Sequence, residues 1–182
     1  TLPSGETVAF VDVPGHQRFI AIMLAGLGPA PAVLLVVAAD EGWQAQSAEH
    51  LAAIDALGLT HGLLVVTRCD LADPAPALAQ ARAQLRDTTL EDCGEVAVSG
   101  TTGQGLDALR EHLDRLCAEL PTPDPKSRAR LWIDRSFTIR GSGTVVTGTL
   151  AAGSLRVGAK VWAAGREVGV RGLQSLGSSV SA

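Results

Sequence analysis

The chain has 182 residues, 46% of them hydrophobic and 19% charged, with a formal net charge of −4 and a pI near 5.5. This composition excludes a disordered chain and a strongly basic protein that coats nucleic acid through bulk electrostatics, so any contact with RNA must be local. Three widely spaced cysteines, Cys69, Cys93 and Cys117, with no C-x-x-C pair favour a reducing cytoplasm, and no apolar run or opening segment has the pattern of a membrane span or signal peptide.

The chain opens on Thr1, and its single methionine, Met23, falls inside a predicted helix, which puts the expected start upstream. Taken in chain order, TVAFV (7–11) and VLLVVAA (33–39) are short valine-rich runs followed by Asp12 and Asp40, and GLLVVT (62–67) repeats the pattern before Asp70. Such runs read as buried parallel strands. Between them RFIAIMLAGL and QAQSAEHLAAIDALGL have helical spacing, so strand and helix alternate in the manner of right-handed crossover units. PAPALAQARAQLRDTTL, opened by Pro74 and Pro76, predicts a further helix, and EVAVS (95–99) a further strand. The last helix is GLDALREHLDRLCAEL, in which Leu106, Leu109, Leu113 and Leu116 form one apolar face. The expected fold is therefore α/β, with a mostly parallel sheet and flanking helices over residues 1–120.

Residues 121–128, PTPDPKSR, cannot continue that helix and read as a semi-rigid linker. From 129 to 182 the pattern changes to LWIDRSFTI, TVVTGTL, KVWAA and VGVRGLQ, separated by glycine-containing turns. These short runs fit a small antiparallel barrel, and about 55 residues are too few to close one with strands of usual length, so a partial barrel is expected.

Open α/β sheets hold ligands at the carboxyl ends of their strands, where DVPGH (12–16) has the residue types that phosphoryl transfer uses. Asp12 can hold a magnesium ion through water, Gly15 lets its backbone N–H approach a terminal phosphate, and His16 would face the attacking water. The same string is equally a type II turn with proline second and glycine third. In TRCD (67–70), the Asp70 carboxylate can accept from the N1 and exocyclic amino donors of guanine, which adenine does not offer in that arrangement. Arg68 can stack on the base and Thr67 can tie the loop to its neighbours, although a helix-capping aspartate explains the string equally well.

VSGTTGQG (98–105) offers backbone amides near Ser99 and Gly100 for a base carbonyl, or simply a helix cap. Leu106 and Asp107 stand where a P-loop needs lysine and serine or threonine, and Val146 breaks the dinucleotide fingerprint in GSGTVVTG. His50, His61 and His112 are scattered and match no zinc motif, and Trp43, Trp132 and Trp162 are too dispersed for a base-stacking platform. What joins the three candidate motifs is order: each follows a predicted parallel strand, so their loops converge on one edge of the sheet.

In residues and order these motifs resemble the translational GTPases of the elongation factor Tu type, which carry D-x-P-G-H, N-K-x-D or T-K-x-D, and S-A or S-G in succession. DVPGHQRFIAIMLAGL, LLVVAADEGWQAQSAEHLAAIDALGL and IDRSFTIRGSGTVVTGTL are similar to the selenocysteine-specific elongation factors in particular, and the resemblance covers nearly the whole chain. It implies a P-loop GTPase-like fold whose first part, with the P-loop and the switch threonine, precedes Thr1, and after it the start of a second-domain β-barrel.

The resemblance implies GTP or GDP with Mg2+ as ligands, and His16 as the residue that positions the hydrolytic water once the ribosome engages. Asp12 and Gly15 take the magnesium and phosphate roles, and Thr67, Arg68, Asp70, Ser99 and Gly100 surround the guanine. Arg68 departs from the usual lysine, while Asp70 keeps the carboxylate that reads the base. Asp134 and Arg135 stand where the family is thought to recognise the selenol of selenocysteinyl transfer RNA. A selenol is largely ionised at neutral pH and a serine hydroxyl is not, so a guanidinium can favour the anion; a plain surface pair explains the two residues as well. The implied partners are selenocysteinyl transfer RNA, the ribosome and, through regions outside this chain, the selenocysteine messenger RNA element, in the cytoplasm and away from membranes. The implied activity of the complete protein is delivery of that transfer RNA with GTP hydrolysis, the fragment alone being inactive. Two alternatives stand beside it: another translational GTPase, such as an elongation factor Tu paralogue or an initiation factor, and a non-catalytic interaction module that keeps the GTPase fold.

Overall fold

The computed structural model describes residues 2–13, 23, 27–28, 30–122, 124–141, 143–175 and 177–182. It divides into two compact units, Thr1–Pro121 and Thr122–Ala182.

The first unit is built on a sheet of β1 (Val33–Ala38), β2 (Gly62–Thr67) and β3 (Gly94–Ala97), ordered β1-β2-β3. Both pairings are parallel, with Val33 opposite Gly62 and Leu63 opposite Gly94. β2 is central, and all its residues from Gly62 to Val66 are buried, which is why its sequence is continuously apolar rather than alternating. The helices are α1 (Ala45–Ala56), α2 (Pro74–Leu85) and α3 (Leu106–Glu119). Leu51 and Ile54 of α1, with Ala77, Ala81 and Leu85 of α2, join Val33, Leu35, Val37, Leu64 and Val66 in one core cluster. On the other face, Leu113 of α3 packs with Leu63, Val65, Val96 and Val98, flanked by Leu106, Leu109 and Leu116. A side chain such as Ile54, moved wholly out of water, contributes roughly 1.5 to 3 kcal/mol before entropy is subtracted.

Local chemistry sets the helix ends. Asp73 caps α2 by accepting from the Ala75 amide at 3.0 Å, with Pro74 at the first helical position, where its missing N–H costs nothing. Gly105 precedes α3 in the left-handed region at φ 73.

One expectation for this unit changes. The run 7–11 forms no strand: residues 6–13 have no regular structure, and Phe10 and Val11 are 64% and 62% exposed. Apolar β-prone residues become a strand only when a ladder receives them, and this run pairs with none of the described strands. The residues before it instead form a turn tied to α3, where Ser4 Oγ donates to Asp114 Oδ1 at 2.5 Å. Of the expected helix RFIAIMLAGL, only Met23 and Leu27 lie among the described residues, both helical and buried in the first cluster.

The second unit consists of antiparallel pairs: β4 (Arg130–Ile139) with β5 (Gly143–Ala152), β6 (Lys160–Ala163) with β7 (Arg166–Gly169), and β8 (Leu173–Ser175) with β9 (Ser178–Val180). The expected run VGVRGLQ is thus divided between β7 and β8. Among the described residues no ladder closes these hairpins into a barrel, since three separate hairpins, two of them with strands of three or four residues, supply too little wall for closure. None of the unit's described residues is buried, and Trp132, Ile133, Phe137 and Trp162 stay open to solvent. Ala164 and Gly165, at φ 49 and 75, link β6 to β7 in the doubly left-handed conformation that a two-residue hairpin favours.

In β4 the register jumps between Ile133 and Arg135, leaving Asp134 as an extra residue in a β-bulge. Its carboxylate accepts from Thr147 Oγ1 at 2.5 Å. Trp132, Arg135 and Phe137 pair with Thr149, Thr147 and Val145 and so share one face of the hairpin.

Candidate functional site

Parallel strands in register bring the loops that follow them to one edge, and here backbone hydrogen bonds tie those loops together. Ala39 N–H donates to Thr67 C=O at 2.8 Å, and Val98 N–H to Val66 C=O at 2.8 Å. Thr67 Oγ1 also reaches Val37 C=O at 3.4 Å, so Thr67 anchors its loop on β1. Beyond β2 the chain turns sharply: Arg68 sits at φ 58, Leu71 N–H closes on Arg68 C=O at 2.9 Å, and Cys69 N–H donates to Val98 C=O at 3.3 Å. The turn that carries Asp70 is therefore pinned to the strand end that leads into Ser99. Asp70 itself is exposed, a carboxylate open to a ligand's donors.

Ser99 is the buried polar residue beside it, 0% exposed. Its hydroxyl accepts from the Thr101 and Thr102 amides at 3.2 and 3.1 Å, and its own N–H donates to Gln104 C=O at 2.9 Å. Ser99 thus shapes the loop and has no amide to spare. The Gly100 amide, in contrast, has no hydrogen-bond partner among the described residues, and a Cβ added at Gly100 would point into open space. Just beyond, a Cβ on Gly105 would lie 2.1 Å from Ala97 C=O, so glycine there lets the loop close against β3.

Arg68 is committed to its neighbours. Its Nη1 lies 3.1 Å from Asp40 Oδ2 and 2.7 Å from Glu41 Oε1, and hydrogen bonds to Glu41 and then to Asp40 raise the guanidinium pKa above its usual value. Sequence reasoning noted Asp40 only as a strand end and missed Glu41 and the role of Gly105. The acidic pair directly after an apolar strand, at the same edge as a basic residue after the next strand, was the available signal.

Asp12 is exposed in an irregular segment, and its neighbour Val13 packs against the first core cluster. No hydrogen bond or ion pair joins Asp12 to the other two loops among the described residues. Gly15 and His16 lie outside the described residues. In the second unit, Asp134 is engaged by Thr147, and among the described residues no ion pair joins it to Arg135. A cavity of about 360 Å³, lined by His61, Gly62, Glu91, Cys93 and Gly94 among others, opens at the amino-terminal ends of β2 and β3 and contains none of these candidates.

A parallel sheet with flanking helices, whose carboxyl edge carries the loops of Asp70 and Ser99, is the architecture of nucleotide-binding α/β units. The family model for the elongation factor Tu GTP binding domain matches residues 3–119, and the chain belongs to that family. It is 40% identical over 168 residues to the selenocysteine-specific elongation factor of Escherichia coli K12, covering 90% of this chain and 27% of that protein. It is also 35% identical over 215 residues to the translation initiation factor 2 subunit gamma of Haloquadratum walsbyi, covering 100% of this chain and 52% of that protein. Among solved structures, a bacterial selenocysteine-specific elongation factor matches with a TM-score of 0.85 at 32% identity, over 93% of this chain and 30% of that one. The elongation factor SelB of Methanococcus maripaludis in complex with the GTP analogue GPPNHP matches with a TM-score of 0.82 at 28% identity, over 94% of this chain and 39% of that one. The chain thus spans about a quarter to a half of the length of these relatives.

Proposed function

We propose that this chain is the guanine-reading part of a translational GTPase that, as a complete protein, delivers selenocysteinyl transfer RNA to the ribosome and hydrolyses GTP there. The observation that carries the guanine site is the bond from Cys69 N–H to Val98 C=O at 3.3 Å, which holds the exposed Asp70 carboxylate beside the loop whose Gly100 amide has no partner among the described residues. An acceptor for the ring N–H and amino donors of guanine and a donor for its carbonyl together match guanine and mismatch adenine. Thr67 and Ser99 hold the two loops in shape.

The remaining roles follow the family resemblance and the motif order. Asp12 takes Mg2+ through water, which suits an exposed carboxylate because magnesium keeps several waters and takes its other ligands from phosphates. Gly15 approaches the terminal phosphate and His16 orients the attacking water. Arg135, without an ion-pair partner among the described residues, offers its guanidinium to an ionised selenol beside Trp132 and Phe137, while Asp134 braces the strand through Thr147. No helix among the described residues is long and apolar enough to cross a membrane, and we assign the protein to the cytoplasm with the ribosome.

The test of the base site is Asp70→Asn: the amide replaces one acceptor by a donor, so preference should move from guanine to xanthine nucleotides. An unchanged preference refutes the site. For the cargo, Arg135→Ala in the complete protein should narrow the discrimination between selenocysteinyl and seryl transfer RNA, and unaltered discrimination removes Arg135 from that role.

A further inference from the structure

The guanine-reading turn is gripped from two sides. On the β3 side, the grip is the Cys69–Val98 backbone bond. On the β1 side, it is the Arg68 side chain, sent sideways by a left-handed backbone at φ 58 to meet Asp40 at 3.1 Å and Glu41 at 2.7 Å. The loop that holds these acids is itself anchored. Gly42 N–H closes on Ala38 C=O at 2.9 Å, Gln44 Nε2 donates to Glu41 C=O at 2.6 Å, and Trp43 N–H donates to Gln80 Oε1 of α2 at 3.1 Å.

A non-glycine residue in the left-handed region is disfavoured and persists where surrounding contacts hold it. The contacts here are two carboxylates converging on one guanidinium nitrogen. We propose that Asp40 and Glu41 are positioning residues for base recognition, acting through Arg68 to set the turn that presents Asp70. This deepens the guanine-site reading and rests on it. The arrangement turns the guanidinium head toward the acids, so the head holds the loop. A lone isolated surface pair contributes little, because two long side chains must be ordered for one screened attraction. Three charges on anchored loops differ in that one residue, Arg68, is held by two acids whose own loop is fixed by backbone and side-chain bonds.

The experiment compares the chain with its Asp40→Asn/Glu41→Gln double variant, which keeps shape and removes both charges. Amide hydrogen exchange is followed at Cys69 and Leu71, with Val98, bonded to Val66 in the strand ladder, as the internal reference. Exchange at Cys69 and Leu71 should quicken by about two- to fivefold while Val98 is unchanged. In the unaltered chain the same quickening should appear as salt is raised to about 1 M, where the screening length falls to about 3 Å, and the double variant should show no further response. A merely steric role for these side chains would be indifferent to salt. Unchanged exchange at Cys69 and Leu71, or quickening that ignores salt, overturns the clamp.

Titration of the complete protein with fluorescent GDP, with and without the double substitution, separates the clamp from the guanine site. Weaker binding by the double variant, in step with the exchange, supports positioning. Faster exchange with equal GDP affinity overturns it. If the unaltered complete protein takes no guanine nucleotide while the exchange result holds, the guanine-site reading falls and the clamp stands as a loop-setting device.

Discussion

Among the described glycines of the first unit, Gly105 is the one where an added methyl group would meet backbone most closely. The residue sits at φ 73, where a side chain costs roughly 1 to 2 kcal/mol. Its new Cβ would also fall 2.1 Å from Ala97 C=O and 3.2 Å from Ala97 C. Those atoms are backbone at the end of β3, unable to swing aside as a side-chain tip would, and forced overpacking costs a further 1 to 3 kcal/mol or so. The sum is a loss of about 2 to 5 kcal/mol, a large share of a typical domain's stability. Urea denaturation followed by helical ellipticity measures it, because α1, α2 and α3 all lie in this unit. Gly100→Ala is the matched control: nothing lies within 4 Å of its would-be Cβ, and its midpoint should correspond to a change within about 0.5 kcal/mol. The damage should also reach the ligand, since displacing Ala97 and Val98 disturbs the carbonyl that receives the Cys69 amide. A Gly105→Ala protein as stable as the parent, or a Gly100→Ala protein equally damaged, refutes this account of the loop.

The β6–β7 hairpin predicts an improvement: Ala164 occupies a left-handed position at φ 49 beside Gly165, and asparagine tolerates that region far better. Ala164→Asn should stabilise the second unit by about 0.5 to 1 kcal/mol, and an unmoved or lowered unfolding midpoint, read by near-ultraviolet circular dichroism, would count against the turn assignment. Cys93 predicts a pH effect, because burial pushes its thiol pKa up, only partly offset by the nearby Arg82 guanidinium. An unfolded thiol ionises near about 8.5, so above that pH the unfolded chain sheds a proton that the folded chain retains, and stability falls as pH rises toward the folded value. Denaturation midpoints across the alkaline range should therefore decline less steeply for Cys93→Ala than for the parent, and parallel declines would refute the buried-thiol contribution.

The parts of the fold legible in the sequence were those where local pattern and burial agree. GLLVVT reads as a strand covered on both faces because every residue from Gly62 to Val66 is in fact buried, and the leucines of α3 form the stripe that its spacing requires. TVAFV misled because its apolarity describes what a strand would bury, while a ladder partner is a tertiary matter that no local pattern encodes. The division of VGVRGLQ into β7 and β8 likewise depends on which segments fold back on each other, and β9 is too short to announce itself. At the candidate site, the chemistry of guanine proposes Asp70 and the loop from Ser99, and the structure brings these two loops side by side. The tie from Arg68 to Asp40 and Glu41 joins residues 27 and 28 positions apart through a backbone conformation that residue type alone disfavours. The order of Ser99 and Gly100 was visible, yet only hydrogen-bond partners reveal that one amide is spent and the other available.

The extra residue in β4 makes the two halves of that strand run out of phase. Upstream of Asp134, even-numbered Trp132 looks the same way as odd-numbered Arg135 and Phe137 beyond it, so two aromatic rings and a guanidinium are gathered on one side by a single inserted step. Deleting Asp134 would shorten the chain by one link, and its larger effect would be to turn over the side chains on one side of the gap relative to those on the other, parting Trp132 from Arg135 without altering either.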